Sequence, residues 1–144
     1  MRRSRPAVLF VVCATLLASS APAAEFQVVV HPTVEGTKIR RSVLAGIFQK
    51  DVVRWGDQIR ILPVDQSGHS PVRQAFTRDV LGQSLGEVQA YWTRRLAVDR
   101  QLPPPTKASD DEVLAFVASK KGAIGYVSAA IEVPAGVKTL TLVD

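Results

Sequence analysis

Residues Ile61 to Phe76 read ILPVDQSGHSPVRQAF, and the fold class turns on how this stretch is read. The apolar Ile61, Leu62 and Val64 predict a strand, and Asp65 to His69 form a turn-rich loop. Ser70 followed by Pro71 predicts a helix start, because a serine hydroxyl caps free N–H groups and proline carries the preset φ of the first helical position. The loop sets serine hydroxyls and Arg73 beside backbone N–H groups at the positive end of a helix dipole, and that chemistry seats an anion. An ordinary capped strand-to-helix connection uses the same residues, so on this stretch alone both readings stand.

Working outward, Phe26 to Val30 is a continuous apolar run, expected as a strand covered on both faces in a parallel sheet. Ile39, Val43, Leu44, Ile47 and Phe48 recur at helical spacing and predict a helix from Ile39 to Gln49. A polar stretch around Trp55-Gly56-Asp57 leads into a strand over Gln58 to Val64. The helix opened by Pro71 should run to Leu81, turning Val72, Phe76, Val80 and Leu81 inward, and stop at Gly82. Ser84 with Glu87 forms a capping box for a further helix to Val98, with Leu85, Val88, Tyr91, Trp92 and Leu96 on one face. Three consecutive prolines, Pro103 to Pro105, make Asp99 to Lys107 an extended connector. Ser109 caps a last helix to Ser119, whose Asp110, Asp111 and Glu112 suit its positive end. Ala123 to Val127 and Val137 to Val143 read as strands. The expectation is an α/β domain with a mostly parallel sheet of about four strands flanked by about four helices.

The N-terminus reads differently. Arg2, Arg3 and Arg5 precede an apolar run from Ala7 to Ala18 and the small residues Ala21-Pro22-Ala23, the pattern of a secretory signal over residues 1–23. The run is shorter than the roughly 20 residues that span a bilayer, and no second one follows. A periplasmic or secreted protein is expected, with residues 24–144 as one domain and no membrane span after cleavage. The single cysteine, Cys13, follows Phe10-Val11-Val12 rather than small residues, so no lipid anchor is expected. The processed chain would lack disulfides and thiolate metal sites. Removing the three arginines from the formal +5 leaves +2, with no basic stripe interleaved with aromatics, and a nucleic-acid partner is not expected. About 120 residues suffice for one hydrophobic core.

Several of these segments together resemble one family. Arg41 to Trp55, the Ser67-Gly68 loop, Tyr91-Trp92, Pro103-Pro104 and Gly122-Ala123-Ile124-Gly125-Tyr126-Val127 are similar, in order and spacing, to the phosphate-binding proteins of ABC uptake systems. The likeness covers nearly all of residues 24–144 but only one lobe of that two-lobed, type 2 periplasmic-binding-protein fold. It implies a non-enzymatic, substrate-binding-like domain. The family's phosphate loop runs arginine, any residue, aspartate, glycine, serine, glycine, threonine. By that resemblance Asp65 matches the aspartate that accepts the proton of hydrogen phosphate, and Ser67 and Gly68 match the serine and glycine. His69 stands where threonine is usual, and Pro63 stands where the arginine would be, leaving Arg73 or Arg60 to supply the charge.

The expected ligand-binding set is therefore Asp65, Ser67, Gly68, His69, Ser70 and Arg73, and the expected ligand is phosphate or a similar small oxyanion. An anion held by one lobe stays half exposed, where an ion contact is worth on the order of 1 kcal/mol or less, so recognition should be weak. An ABC permease or another envelope protein is the expected protein partner. The alternative is a ligand-free interaction module that docks such a protein or dimerises. Asp65, Ser67 and His69 lie too close in one loop for the geometry of a hydrolytic triad, and no catalytic residue is assigned. His31 and His69 are two histidines where a metal needs three or more ligands, so neither a metal nor a cofactor is expected. Trp55, Tyr91 and Trp92 read as packing residues.

Overall fold

The computed structural model describes residues 26–144. It is built around β1 (Phe26–Val30), the central strand of a five-stranded sheet. The other strands are β2 (Lys38–Arg40), β3 (Leu62–Pro63), β6 (Ala123–Ser128) and β7 (Lys138–Val143), in the order β2-β7-β1-β6-β3. A second, two-stranded sheet pairs β4 (Asp65–Gln66) in parallel with β5 (Thr106–Lys107). The signal segment expected over residues 1–23, with Cys13, lies outside the described residues.

The sheet is mixed rather than mostly parallel. β1 runs antiparallel to both β6 and β7, while β2 pairs with β7 and β3 with β6 in parallel. The sequence misled here for a plain reason: an unbroken apolar run reports cover on both faces, and it is the same run whichever way the neighbours point. The cover itself is present. Phe26, Val28 and Val30 enter one buried cluster with Leu44, Ile47, Phe48, Phe76, Ile124 and Tyr126. Val29 enters the other with Val64, Val113, Val117, Ala123 and Val127. The alternation of β1 and β6 thus divides the core into a layer under α1 (Arg41–Phe48) and α2 (Pro71–Phe76) and a layer under α4 (Asp110–Ser119).

Helix signals were legible because caps are local. Ser109 accepts the N–H of Glu112, and Ser84 forms the full capping box with Glu87 at the start of α3 (Leu85–Asp99). α1 differs, since Ile39 belongs to β2 and the helix begins at Arg41 without a side-chain cap. The helix expected over Pro71 to Leu81 is α-helical only to Phe76. It then widens into a π-helical stretch at Thr77–Leu81 and ends at Gly82, whose φ is +63°. The strand expected over Gln58 to Val64 shrinks to Leu62–Pro63, preceded by an isolated bridge between Arg54 and Arg60. Gly125 sits where α4 crosses β6. A Cβ at this position would lie 2.8 Å from a methyl of Val113 and 2.8 Å from one of Val64, so only glycine lets helix and strand approach this closely.

Candidate functional site

The loop from Asp65 to Arg73 hangs from β4, and β4 is held by the connector that the prolines make extended. Asp65 N–H donates to the Pro105 carbonyl at 2.8 Å and Ser67 N–H to the Lys107 carbonyl at 2.9 Å. Proline forbids a helix there, and the connector's carbonyls remain free to accept.

Asp65 is 9% exposed and surrounded by donors. Its Oδ1 accepts the Tyr126 hydroxyl in a short hydrogen bond and the Gln66 N–H at 2.9 Å, while an Arg73 guanidinium nitrogen stands 3.4 Å from Oδ2. Burial pushes the Asp65 carboxyl above the usual carboxylate range, and Arg73, Tyr126 and the Gln66 N–H pull it back only in part. The Tyr126 hydroxyl is pushed up as well, by its own burial and then by the Asp65 charge. Tyr126 reaches the loop from the core, where its ring stacks on Phe76 at 3.9 Å between centroids. Tyr126 was expected only as a strand residue, and nothing local in the sequence reveals the contact, since Asp65 and Tyr126 are 61 positions apart.

Gln66 is the other residue that the sequence did not single out. It is 2% exposed, its Nε2 donates to Asp110 Oδ1 at 2.7 Å and to the Tyr126 carbonyl at 3.0 Å, and its Oε1 accepts the Ser70 hydroxyl at 2.8 Å. A buried amide with partners on both of its polar atoms is a rigid anchor. Ser70 also caps α2 by accepting the Arg73 N–H at 3.4 Å. Arg73 folds back over the loop, donating from one terminal nitrogen to the Gln66 carbonyl at 2.8 Å. Its Nε is buried and has no hydrogen-bond partner among the described residues.

The six expected residues therefore divide. Asp65, Gly68 and Arg73 line one end of a groove of about 440 Å³, whose walls include Val88, Trp92, Leu96, Pro103 and Pro104. Ser67 and Ser70 support the loop instead. The Ser67 Oγ accepts the His69 backbone N–H at 3.4 Å, and its carbonyl accepts the Ser70 N–H at 2.9 Å. His69 is exposed and lies outside the groove lining. The row of free N–H groups expected in this loop is largely used up internally. Among the described residues of the loop, the Gly68 and Val72 N–H groups stay without a partner, and Gly68 is in the groove lining.

Arg60, the other cation considered for the anion, lines a different concavity. Ser67 meets the His69 main chain and not its ring, so these two do not form the Ser–His pair that a nucleophile needs. His31 Nδ1 lies 2.8 Å from the Thr33 hydroxyl, and no cluster of metal-ligating side chains occurs among the described residues. Nor is any helix among them long and apolar enough to cross a membrane. Trp55 packs against the larger core cluster and donates to the Gly122 carbonyl at 3.0 Å, and Tyr91 donates to the Gln49 carbonyl at 2.9 Å. Trp92 packs too, but one side of it walls the groove.

The sequence matches no protein-family model and no curated protein. Solved structures do match. A protein from Clostridium perfringens assigned as a phosphate ABC transporter substrate-binding protein, solved with bound phosphate, superposes with a TM-score of 0.64 at 15% identity over 82% of this chain and 44% of its own. PstS from Borrelia burgdorferi gives 0.62 at 17% identity, covering 82% of this chain and 47% of its own. An ABC-type phosphate transport receptor from Vibrio cholerae gives 0.59 at 16% identity, covering 82% and 46%. At these identities the likeness is one of fold: this chain has an α/β architecture like part of those proteins, and it spans less than half the length of each.

Proposed function

We propose that this chain is an exported, non-enzymatic substrate-binding-like domain that weakly recognises phosphate or a similar small oxyanion at the Asp65 end of the groove, in the service of ABC-type uptake. The observation that carries this reading is Arg73, a cation in the groove lining whose buried Nε–H has no acceptor among the described residues, with Gly68 in the same lining. Buried donors on a charged group are costly to leave unpaired, and an oxyanion in the groove would bring an acceptor charge to the Arg73 guanidinium. Asp65 selects the protonation state of the guest. As an ionised acceptor it repels a fully ionised anion and accepts a hydrogen bond from the P–OH of hydrogen phosphate, so phosphate should bind better than sulfate.

The affinity stays low because Arg73 already shares its charge with Asp65 and the groove is open to water. Calorimetric titration of the folded chain with inorganic phosphate and with sulfate tests the proposal. Phosphate should bind in the millimolar range, and Arg73→Ala, compared at matched folded fraction, should bind it about tenfold less tightly, the loss of roughly 1.4 kcal/mol expected when a charge-assisted bond is removed. A parent chain with no phosphate-dependent heat or stabilisation at millimolar ligand rules the reading out. N-terminal sequencing of the exported form should find a start near Ala24, and an uncleaved membrane-bound chain would contradict export.

One observation favours a second reading, in which the groove docks another envelope protein or a second copy. Leu96, at 47% exposure, sets apolar surface on the groove wall, where an oxyanion has no use for it, and exposed Leu102 immediately precedes the wall residue Pro103. Concentration-dependent sedimentation that does not respond to phosphate would favour this docking role.

A further inference from the structure

A second concavity of about 360 Å³ opens beside β3 and shares no lining residue with the groove at Asp65. Three cations, Lys50, Arg54 and Arg60, stand around it, and no carboxylate lines it. None of the three takes part in an ion pair among the described residues. The acidic residues nearest in sequence are committed elsewhere. Asp51 receives Arg95 at 3.1 Å, and Asp57 accepts the Ile59 N–H at 3.1 Å.

The backbone fixes the three cations in place. Lys50 follows α1 in a left-handed turn with φ +59°, its N–H bonded to the Ile47 carbonyl at 3.0 Å. Arg54 and Arg60 face each other across an antiparallel bridge, and Arg54 donates to the Gln58 carbonyl at 2.9 Å. The Arg60 main chain lies against Gly122, where a Cβ would fall 2.3 Å from the Arg60 carbonyl oxygen and φ is +79°, so glycine is required for this approach. Burial, and then the nearby Arg60 charge, hold the Lys50 ammonium below the usual lysine range. Like charges gathered without a counter-ion repel, and each disfavours the charged form of its neighbour. The remaining lining includes Ile47, Pro63 and Phe116, so charged and apolar groups share one concavity.

We propose that the concavity bounded by Lys50, Arg54, Arg60 and Phe116 binds an amphipathic anion, a phosphate, sulfonate or carboxylate head on a small apolar or aromatic body. The cations take the head, with the two guanidinium groups offering paired donors, and Phe116, Pro63 and Ile47 take the body. Its volume lies at the lower end of the range of small-molecule sites, about 300–1,000 Å³, which suits a body of one or two fused rings. This site is separate from the oxyanion site proposed at Asp65.

The test uses 1-naphthyl phosphate as the probe, titrated into the full chain by calorimetry with inorganic phosphate and 1-naphthol as controls. The naphthyl ester should bind at least about tenfold more tightly than either control, since head and body each contribute on the order of 1.4 kcal/mol or more. Lys50→Gln and Arg60→Gln should each weaken the ester about tenfold, and Phe116→Ala should weaken it while leaving the response to inorganic phosphate as in the parent. At low salt, without ligand, Lys50→Gln should melt no lower than the parent, because it removes a repulsion and no ion pair. The proposal is overturned by a Lys50→Gln/Arg60→Gln double variant that keeps parental affinity for the ester, by no binding at millimolar ester, or by a Lys50→Gln variant that melts below the parent.

Discussion

Asp65 is nearly buried and faces Arg73, the Tyr126 hydroxyl and the Gln66 N–H, so its protonation is tied to folding. Its carboxyl lies above the usual range because burial outweighs these donors. A folded pKa above the unfolded one means that the folded state holds the proton more tightly. The contribution of Asp65 to stability is then full below the ordinary carboxylate value and is lost as pH rises through the raised folded value. The melting temperature of the parent minus that of Asp65→Asn, followed from about pH 4 to pH 7, should therefore fall as pH rises. A flat difference would show that the carboxyl titrates in the fold as it does in the unfolded chain. At this scale the sequence puts Asp65, Gly68 and Arg73 on one strand-loop-helix segment, and all three line one groove, because such a turn is a local structure. It could not assign Gln66 or Tyr126 to the site, because the bonds that tie them to Asp110, to each other and to Asp65 span 44 to 61 positions.

The helices, with their serine caps, were easier to foresee than the strands. A cap is decided within four residues, whereas a strand exists only if a distant segment pairs with it. β2 and β5 are short and carry no apolar run: the sequence reads Ile39 of β2 as the start of a helix and β5 as part of an extended connector, and pairing with β7 and β4 makes them strands. Packing on β6 is close, since Gly125 lets Val113 of α4 and Val64 close over it. Gly125→Val should cost about 1–3 kcal/mol by overpacking, and more if β6 is displaced from β1. Thermal melting measures it. A variant that melts like the parent and loses only ligand binding would assign Gly125 to the site instead of the fold.

The two buried layers meet along β1 and β6, and each strand sends alternate side chains into both. Neither layer keeps its sheet if the other is lost, so residues 26–144 should unfold in one transition. Trp55 packs on the larger layer, and in a Trp92→Phe variant its fluorescence reports on that layer alone. Urea titrations followed by this fluorescence and by far-ultraviolet circular dichroism should give coincident midpoints. Separate midpoints would mean that the layer under α4 is an independent unit.

From the sequence alone came the α/β class, the position of the central apolar strand, three of the four helices with their serine caps, and the loop that borders the groove. These rest on periodicity, cap chemistry and turn residues, all of which act between neighbours along the chain. Only the tertiary structure decided that β1 opposes both its neighbours and that a proline connector forms the strand holding the site loop. It alone showed that Arg73 turns inward to Asp65 while Lys50, Arg54 and Arg60 gather without a counter-ion. Strand direction and charge pairing depend on which distant segments come to lie side by side, and hydrophobic burial, being non-directional, does not write that choice into any one stretch of residues.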